Sequence, residues 1–580
     1  MSSAKPSDRG PKASKARHND VKVIQDSGHA TQAGESTAVT SVLKAVVVLV
    51  LTAAYSPISL LTLSPVYGSV PSATYHRQGM MAAALLGWLG KGQVAKLLSK
   101  NMMRFIPVLA FAIPTIQFFL FQQSTRLGAV YGPLATEVLT FFPLVLLSMS
   151  TAAIMLEQVD LHRFGSLVRD HGSFIGSYLL FSTSEKVTTF FIPRYIGSHV
   201  FFSRIGLQFA TATLYAVSIP SKLLLFAIPS VLFSGVYNYH VPLPHTTALL
   251  NSTLQAENYV LLHRQESLTG YLSVFENTKD HFRVMRCDHS LLGGEWTHLE
   301  NRKFPKVRES IYSVFTTLEA VRLIEKDTGG RRQADSESSA LVIGLGIGTT
   351  PTALITHGID TTVVEIDPVV AQLAAKYFSV PDNFKPVIQD AVTFVGDAVT
   401  AGNVKYDYIV HDVFTGGIEP VSLFTVEFIQ GLSSLLEDDG AVAINYAGDL
   451  SLPPAGIIVR TILSVFPSCR IFRDGEPLNP TDPSKGDFTN MVIFCKKTAS
   501  PPLKILKPTE ADYLGTRSRE MFLYPQNEID PALFEKGLDT KQDILSDGDT
   551  TELRVWQSHG AVGHWEIMRS VLPASVWEKW

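Results

Sequence analysis

The stretch that decides the fold is Leu341–Asp367, LVIGLGIGTTPTALITHGIDTTVVEID. It begins with a short apolar run typical of a buried parallel strand, breaks at a glycine cluster, and continues into a segment of helix length. A second β-rich run follows and carries Glu365 near its end, about 20 residues after the glycines. This order of strand, glycine loop, helix, strand and acid is that of a nucleotide-binding βαβ unit.

The glycines and the acid are candidate binding residues. Gly344, Gly346 and Gly348 allow the backbone to turn tightly and to approach a ligand where a side chain would block it. A carboxylate at Glu365 can accept hydrogen bonds from both hydroxyls of a ribose. The pattern therefore predicts a nucleoside-type ligand at this loop, with a purely structural turn as the alternative.

The composition divides the chain into two parts. Hydrophobic residues make up 46% of the 580 residues, and the excess lies before residue 240. The formal net charge of -4 argues against a nucleic-acid partner. The three cysteines, without a CxxC pair, argue against a zinc site or a disulfide scaffold. We therefore expect no bound metal, and we expect Cys287, Cys469 and Cys495 to be buried small hydrophobes in a reducing compartment.

The region before residue 240 predicts a multi-pass membrane domain. Residues 1–41 are polar and basic, and they are expected to form a disordered tail. Apolar runs long enough to cross a bilayer follow over residues 42–240, with a soluble bundle of unusually apolar helices as the alternative. The candidate spans are Val42–Gly68, Phe105–Phe121, Leu134–Leu156, Phe174–Ile192, Val200–Ile219 and Leu223–Tyr237.

The charges of the connecting segments do not settle which side of the membrane each part occupies. The basic tail favours a cytosolic N-terminus, but the loop after the first span is also basic, which conflicts with simple alternation. The predicted nucleoside ligand favours a cytosolic C-terminal domain, because such cofactors are made in the cytosol.

The remainder of the chain has the pattern of an α/β domain. A β-hairpin (Tyr271–Phe275 with His281–Arg286) and a lead-in helix (Glu309–Glu325) are predicted within residues 250–335. Strands and helices then alternate over residues 336–500, which predicts a mostly parallel, doubly wound sheet closed by a late hairpin. Residues 501–580 form an extension whose tryptophans and histidines are expected to anchor it on the domain or at the membrane interface.

Polar residues follow four of the predicted parallel strands: Glu365, Asp390, Asp412 and Asn445. Ligands of such sheets lie beyond the carboxyl ends of the strands, so these side chains are expected to surround one site. His411 precedes Asp412 on an alternating strand and is expected to face the core instead. Asp288–Ser290 with Gly293–Trp296 either lines this site or forms a structural turn.

Several motifs resemble the spermidine synthase family of the class I S-adenosylmethionine-dependent superfamily. The resemblance spans Glu266–Lys496, and it is carried by Thr269–Asn277, by VEID at Val364–Asp367 with AKYF at Ala375–Phe378, by YDYIVHD at Tyr406–Asp412, and by SLF at Ser422–Phe424. It implies a Rossmann-like transferase domain with an N-terminal β-hairpin, here preceded by the membrane domain.

The resemblance also implies roles for individual residues. Glu365 would hold the ribose of the donor, and Asp390, followed by Ala391 where the family has glycine, would meet its adenine. Asp412 falls on the family's catalytic aspartate, which accepts a proton from the attacking amine as the sulfonium leaving group departs.

The departures from the family pattern concern the acceptor. Ile347 replaces an aspartate of the glycine loop, Thr415 replaces a second acid, and Gly270 stands where a glutamine contacts ligand. A diamine needs anionic partners for its ammonium groups. Methyl transfer from S-adenosylmethionine is therefore slightly favoured, on to an amine-type acceptor such as a polyamine or a protein side chain.

Three alternatives remain at this point. The first is aminopropyl transfer from decarboxylated S-adenosylmethionine to a polyamine, and the second is a catalytically silent membrane scaffold or sensor. The third, an NAD-dependent dehydrogenase, would need only the glycine loop and leaves the YDYIVHD strand unexplained. The sequence leaves a homodimer open.

Overall fold

The computed structural model describes residues 19–98, 102–157, 159, 165–326, 334–381, 384, 386–413, 420–476, 486–534 and 544–580. For residues 19–38 and Glu552 it describes the backbone only. Residues 1–18 of the predicted disordered tail thus lie outside the described residues. The first helix begins within the rest of that tail, at Asn19.

The N-terminal region consists of helices. They are α1 (Asn19–Tyr67), α2 (Ser69–Thr74), α3 (His76–Leu89), α4 (Lys91–Leu98), α5 (Met102–Phe121), α6 (Ser124–Leu139), α7 (Phe141–Leu156), α8 (Ser166–Tyr195), α9 (Arg204–Ser218), α10 (Ile228–Val236) and α11 (Pro244–Gln255). Short 3-10 turns at Val200–Phe202 and Lys222–Ala227 precede α9 and α10.

By length and composition, three stretches of the described helices could cross a membrane: Val39–Tyr67, Met102–Phe121 and Ser124–Leu156. The candidate spans predicted between residues 174 and 237 do not meet the same requirement. Helix α8 carries Glu185 and Lys186, while α9 and α10 have only 15 and 9 residues. Ser203 interrupts the predicted span before α9, because its hydroxyl caps that helix by accepting from the Gly206 N–H.

A four-stranded antiparallel sheet follows, in the order β1-β2-β3-β4. Its strands are β1 (Tyr259–Glu266), β2 (Tyr271–Asn277), β3 (Phe282–Cys287) and β4 (Ser290–Trp296). The predicted hairpin is its central pair. The predicted lead-in helix is shorter than expected, since α12 spans only Ser313–Leu318. Ser310 instead forms an antiparallel β-bridge with Glu295 of β4, so the chain before α12 is extended there.

The second sheet has eight strands in the order β12-β10-β11-β9-β8-β5-β6-β7. Its strands are β5 (Ser339–Ile343), β6 (Asp360–Glu365), β7 (Val387–Ile388), β8 (Tyr406–His411), β9 (Leu436–Asp449), β10 (Ser468–Arg473), β11 (Phe488–Lys496) and β12 (Glu528–Ile529). Within this sheet the neighbouring strands β7, β6, β5, β8 and β9 pair in parallel. Strands β11, β10 and β12 continue the sheet beyond β9, and each pairs antiparallel with its neighbour.

Helices connect these strands and extend beyond them. They are α13 (Thr349–Thr356), α14 (Pro368–Tyr377), α15 (Ala391–Ala401), α16 (Val426–Leu435), α17 (Pro453–Val465), α18 (Arg517–Phe522), α19 (Thr551–Val571) and α20 (Ala574–Glu578). Strand–helix alternation with a late β10–β11 hairpin is therefore present, as the sequence predicts. Apolar side chains from both faces of the sheet form two large buried clusters.

The prediction that all three cysteines are isolated hydrophobes is wrong for two of them. Cys469 on β10 and Cys495 on β11 are cross-strand partners and form a disulfide with an S–S distance of 2.07 Å. The third, Cys287, is buried and outside any disulfide. The sequence separation of 26 residues gave no local signal, because only the pairing of the two strands brings the thiols together.

Buried polar contacts join the helical region to the α/β domain. Arg204 on α9 donates to the carboxylates of Glu266 and Asp288, both at 3.1 Å. The C-terminal extension adds to this junction, since the indole N–H of Trp565 on α19 donates to the Val66 carbonyl of α1 at 3.1 Å. Trp565, with Trp577 of α20, is buried, as expected for residues that anchor the tail.

Candidate active site

A cavity of about 640 Å³ opens beyond the carboxyl ends of the parallel strands. Its walls come from the glycine loop after β5, the ends of β6, β8 and β9, the start of β4, and one face of α19. The volume lies within the range of small-molecule sites, about 300–1,000 Å³. Its place at the strand ends is where open α/β sheets bind ligands.

Two of the three predicted glycines line this cavity. Gly344 has φ +90°, and a Cβ there would lie 2.1 Å from the Asp412 carbonyl oxygen. Gly346 has φ +55°, and a Cβ there would lie 2.6 Å from the Leu292 carbonyl oxygen. Gly348 lies outside the cavity lining, at the N-terminus of α13, where a Cβ would lie 2.9 Å from Val380. The structure thus gives Gly348 a packing reason to be glycine.

Glu365 lies at the end of β6 with its carboxylate on the cavity wall. One oxygen accepts from the Leu345 N–H at 3.1 Å, and the other accepts from the Asp367 N–H at 2.8 Å. Burial raises the pKa of Glu365 to about 7, although the backbone hydrogen bonds oppose that rise. Because Leu345 belongs to the glycine loop, this carboxylate also fixes the loop against β6.

Asp390 and Ala391 line the cavity beside Glu365. Asp390 is exposed and caps α15, since one of its carboxylate oxygens accepts from the Thr393 N–H at 3.0 Å. Among the described residues, the other carboxylate oxygen of Asp390 accepts no hydrogen bond from the α15 backbone. The predicted donor residues, apart from Gly348, are therefore brought together along one wall.

Asp412 follows β8 and lies half-buried on the same cavity. Its Oδ1 accepts from the Nδ2 of Asn445, on the neighbouring β9, at 2.8 Å. Burial raises the pKa of Asp412 to about 6, and the Asn445 hydrogen bond opposes the rise. At neutral pH a carboxyl group with a pKa of about 6 is mostly ionised, so it can accept a proton. The loop after it, including Thr415, lies outside the described residues.

His411 faces away from the cavity, as predicted. Its ring is buried, 4.8 Å from the ring of Phe424 and 5.7 Å from that of Phe428. Burial lowers the pKa of His411 to about 4, so the ring is neutral at pH 7. It therefore belongs to the packing of β8 against α16.

The cavity is also lined by residues that the sequence did not place in the site. Four come from one face of α19: His564, Ile567, Met568 and Val571. Burial lowers the pKa of His564 to about 4, so its imidazole is neutral. No sequence signal near His564 connects it with the strand ends, since the extension was expected to serve as an anchor. Asp474, which follows β10, and Thr489 and Asn490 of β11 also line the cavity.

The segment Asp288–Trp296 was expected either to line the site or to form a structural turn, and different residues of it do each. Ser290, Leu291 and Leu292 line the cavity. Asp288 forms the turn before β4, with φ +47°, and its carboxylate accepts from the Tyr271 N–H at 2.8 Å and from Arg204. The turn thus binds the helical region, while the strand after it faces the site.

Comparison with known proteins supports the assignment made from the motifs. The family description "Spermine/spermidine synthase domain" matches residues 330–452. A protein of Emericella nidulans named N-terminal histidine N-methyltransferase is 50% identical over 542 residues, which cover 92% of this chain and 96% of that protein. A polyamine aminopropyltransferase of Vibrio vulnificus is 28% identical over 32% of this chain.

Two solved structures are also similar. A probable spermidine synthase of Corynebacterium glutamicum is 17% identical and covers 50% of this chain, with a TM-score of 0.38. Human methyltransferase-like protein 13, in complex with SAH, is 20% identical and covers 40% of this chain, with a TM-score of 0.26.

The likeness to the methyltransferase of Emericella nidulans extends over almost the whole length of both chains. It confirms the predicted S-adenosylmethionine donor and the predicted preference for methyl transfer, whereas the aminopropyltransferase matches a much smaller part of the chain. The chain therefore belongs to the spermidine synthase-like family of S-adenosylmethionine-dependent N-methyltransferases.

Proposed function

We propose that this protein transfers the methyl group of S-adenosylmethionine to a nitrogen of an N-terminal histidine in a peptide or protein. The observation that carries this proposal is the 50% identity, over 92% of the chain, to a protein named for that reaction. The cavity supports it, because the predicted donor residues, Asp412 and one face of α19 all line it.

The donor wall suits intact S-adenosylmethionine. In this proposal Glu365 accepts hydrogen bonds from the ribose, Asp390 and Ala391 border the adenine, and the loop at Gly344 and Gly346 gives the donor close backbone contact. Ile347 leaves this loop without an acid that would repel the donor carboxylate. Its side chain is buried and packs against β4, where a Cβ on Gly293 would lie 2.8 Å from it.

Asp412 serves as the proton acceptor in the proposed reaction. The lone pair of the acceptor nitrogen forms a bond to the methyl carbon while the sulfur–methyl bond breaks. The electron pair of that bond goes to sulfur, which becomes an uncharged thioether. The surplus proton of the acceptor goes to the Asp412 carboxylate, which Asn445 holds in place.

The test uses the full chain in detergent, with S-adenosylmethionine and two peptides that differ only in an N-terminal histidine or alanine. We expect a mass gain of one methyl group on the histidine peptide only. A parallel reaction offers decarboxylated S-adenosylmethionine with putrescine and is expected to give no product. Equal methylation of both peptides, absence of methylation, or formation of spermidine would overturn the proposal.

We further propose that the helical region lies in a lipid bilayer. Three stretches are long and apolar enough to cross one. Beside them, helices α8 to α10 and the turns between them expose large apolar side chains that water would solvate poorly, including Phe201, Leu225 and Phe226, which are 69%, 68% and 73% exposed.

The side of the membrane on which the α/β domain lies is a separate part of the proposal. The donor is made in the cytosol, which favours the cytosolic side, as expected from the sequence. The Cys469–Cys495 disulfide favours an oxidising compartment instead. We propose the oxidising side, which requires delivery of the donor across the membrane.

Protease protection in sealed vesicles tests this orientation. We expect the α/β domain to resist protease until detergent is added, and the two cysteine peptides to stay linked without reductant. A domain digested in intact vesicles, with both thiols open to alkylation, would place it in the cytosol.

A further inference from the structure

A network of polar side chains lies inside the helical region, outside the lining of the cavity. The Oγ of Ser56 on α1 is 2.8 Å from the Nε2 of His76, at the start of α3, and 2.8 Å from the Oε1 of Glu185 on α8. The other ring nitrogen of His76, Nδ1, is 2.6 Å from the Oε1 of Glu137 on α6. The hydroxyl of Ser59 on α1 donates to the same oxygen at 2.8 Å. Side chains of four helices thus form one hydrogen-bonded network.

The network lies in an apolar part of the helical region. His76 and Glu137 are 4% and 1% exposed, and Ser56 belongs to the apolar stretch Val39–Tyr67. The ring of His76 stacks on that of Phe141 on α7, with centroids 5.4 Å apart. Ionisable side chains are rare among apolar membrane helices, and those that occur often belong to proton or ion pathways. Such a placement is typical of a site for a proton or an ion.

The number of hydrogens in the network identifies the ligand. Three contacts lie in series: Glu185 with Ser56, Ser56 with His76, and His76 with Glu137. Each contact needs one hydrogen between its two heavy atoms. The serine hydroxyl supplies one, a neutral imidazole supplies another, and ionised carboxylates supply none. All three contacts are therefore made only when the network holds one added proton.

The charge of the network also favours a bound proton. With a neutral ring, the carboxylates of Glu137 and Glu185 carry two negative charges, and burial makes uncompensated charges costly. The other acidic and basic side chains of α3, α6 and α8 are all exposed, including the nearest in sequence, Arg77 and Lys186. A proton shared within the network compensates one of the two charges.

The helices packed against the network bring few ionisable groups to it. Helix α7 contains no charged residue, and α1 contains none after Lys44. The surrounding core includes two phenols, Tyr55 of α1 and Tyr215 of α9. Phenols are uncharged at neutral pH, so these two leave the charge of the network unchanged.

We propose that this network is a proton-binding site, which gives the helical region an acid–base function separate from methyl transfer. In one form the proton is on Glu185, which donates to Ser56, and the Ser56 hydroxyl donates to the bare Nε2 of His76. In the other form the hydroxyl hydrogen of Ser56 has passed to Nε2, and the proton of Glu185 has passed to Ser56. The ring is then an imidazolium that donates to Ser56 and to Glu137. Because Glu185 is half-buried, it is the end at which the proton enters.

Infrared difference spectroscopy of the full chain in lipid nanodiscs tests the site between about pH 8 and about pH 5, where histidine side chains change charge. On acidification of the wild type we expect two sets of bands together, the C=O stretch of a carboxylic acid and the ring bands of an imidazolium. We expect Glu185→Gln to lose both, because an amide N–H supplies the third hydrogen without a proton. We expect His76→Gln to lose the imidazolium bands.

Glu157→Gln is the matched control, because Glu157 is a carboxylate with a 57% exposed side chain that pairs with Lys91 outside the network. It is expected to keep both sets of bands. Identical difference spectra of the wild type and Glu185→Gln would overturn the inference, as would imidazolium bands of wild-type size in His76→Gln. Methyl transfer by the three variants is expected to match the wild type, since none of these residues lines the cavity. The two functions are thus tested separately.

Discussion

At the scale of the residue, the proposed role of Asp412 as proton acceptor depends on its charge. Burial raises the pKa of this carboxyl to about 6, and the hydrogen bond from Asn445 limits the rise. A proton acceptor works only when ionised, so kcat/KM for the acceptor is expected to increase with pH and to be half-maximal near pH 6. A pH–rate profile of the wild type measures this midpoint.

Two variants identify the group that titrates. Asp412→Asn removes the proton acceptor, and a loss of about 10²- to 10⁴-fold in kcat is expected. Asn445→Leu removes the hydrogen bond that stabilises the ionised form, so the midpoint is expected to move to higher pH. A midpoint that stays in place in Asn445→Leu would show that another group titrates.

At the scale of the element, the loop between β5 and α13 depends on glycine at its first position. Gly344→Ala would force a side chain into φ +90° and within 2.1 Å of the Asp412 carbonyl oxygen. We expect the loop to be displaced, with a loss of about 1–3 kcal/mol in stability and weaker donor binding. Thermal unfolding and titration with S-adenosylmethionine measure the two effects.

Gly396 provides the matched control. It lies inside α15, and a Cβ there has no atom within 4 Å. Gly396→Ala is expected to stabilise that helix by up to about 1 kcal/mol and to leave donor binding unchanged. Equal effects of the two alanine variants would contradict the steric argument for Gly344.

At the scale of the whole molecule, the two regions are joined by buried charges. Arg204 of the helical region is completely buried and contacts Glu266 and Asp288 of the α/β domain. Burial raises the pKa of both carboxyls, and the guanidinium charge opposes the rise. Arg204→Met would leave two buried carboxylates unpaired, and a loss of about 3–5 kcal/mol in the free energy of unfolding is expected.

Unfolding of the full chain in detergent, followed by near-ultraviolet circular dichroism, measures this loss. Arg169→Met serves as the control, because Arg169 forms an exposed ion pair with its neighbour Asp170, and no measurable change is expected. A stable Arg204→Met variant would show that the remaining contacts, such as that between Trp565 and Val66, hold the two regions together without this guanidinium.

The sequence by itself determined the βαβ unit, the cavity residues Gly344, Gly346 and Glu365, and the meeting of Asp412 with Asn445. These features follow from local patterns, since apolar periodicity identifies strands and the carboxyl ends of parallel strands meet at one edge of a sheet. It also identified the class of donor, through motifs that lie within short stretches of the chain.

Only the tertiary structure decided which distant segments complete the site. The part of the wall formed by α19, the place of Asp474 on the cavity and the Cys469–Cys495 disulfide depend on contacts between residues that no local pattern connects. Gly348 is a case in which the local pattern was ambiguous, because a glycine at this position fits a structural turn as well as a binding loop. Its place outside the cavity lining, packed against Val380, assigns it to the turn. Strand register and helix docking are set by the whole core, and the acceptor side of the site depends on both.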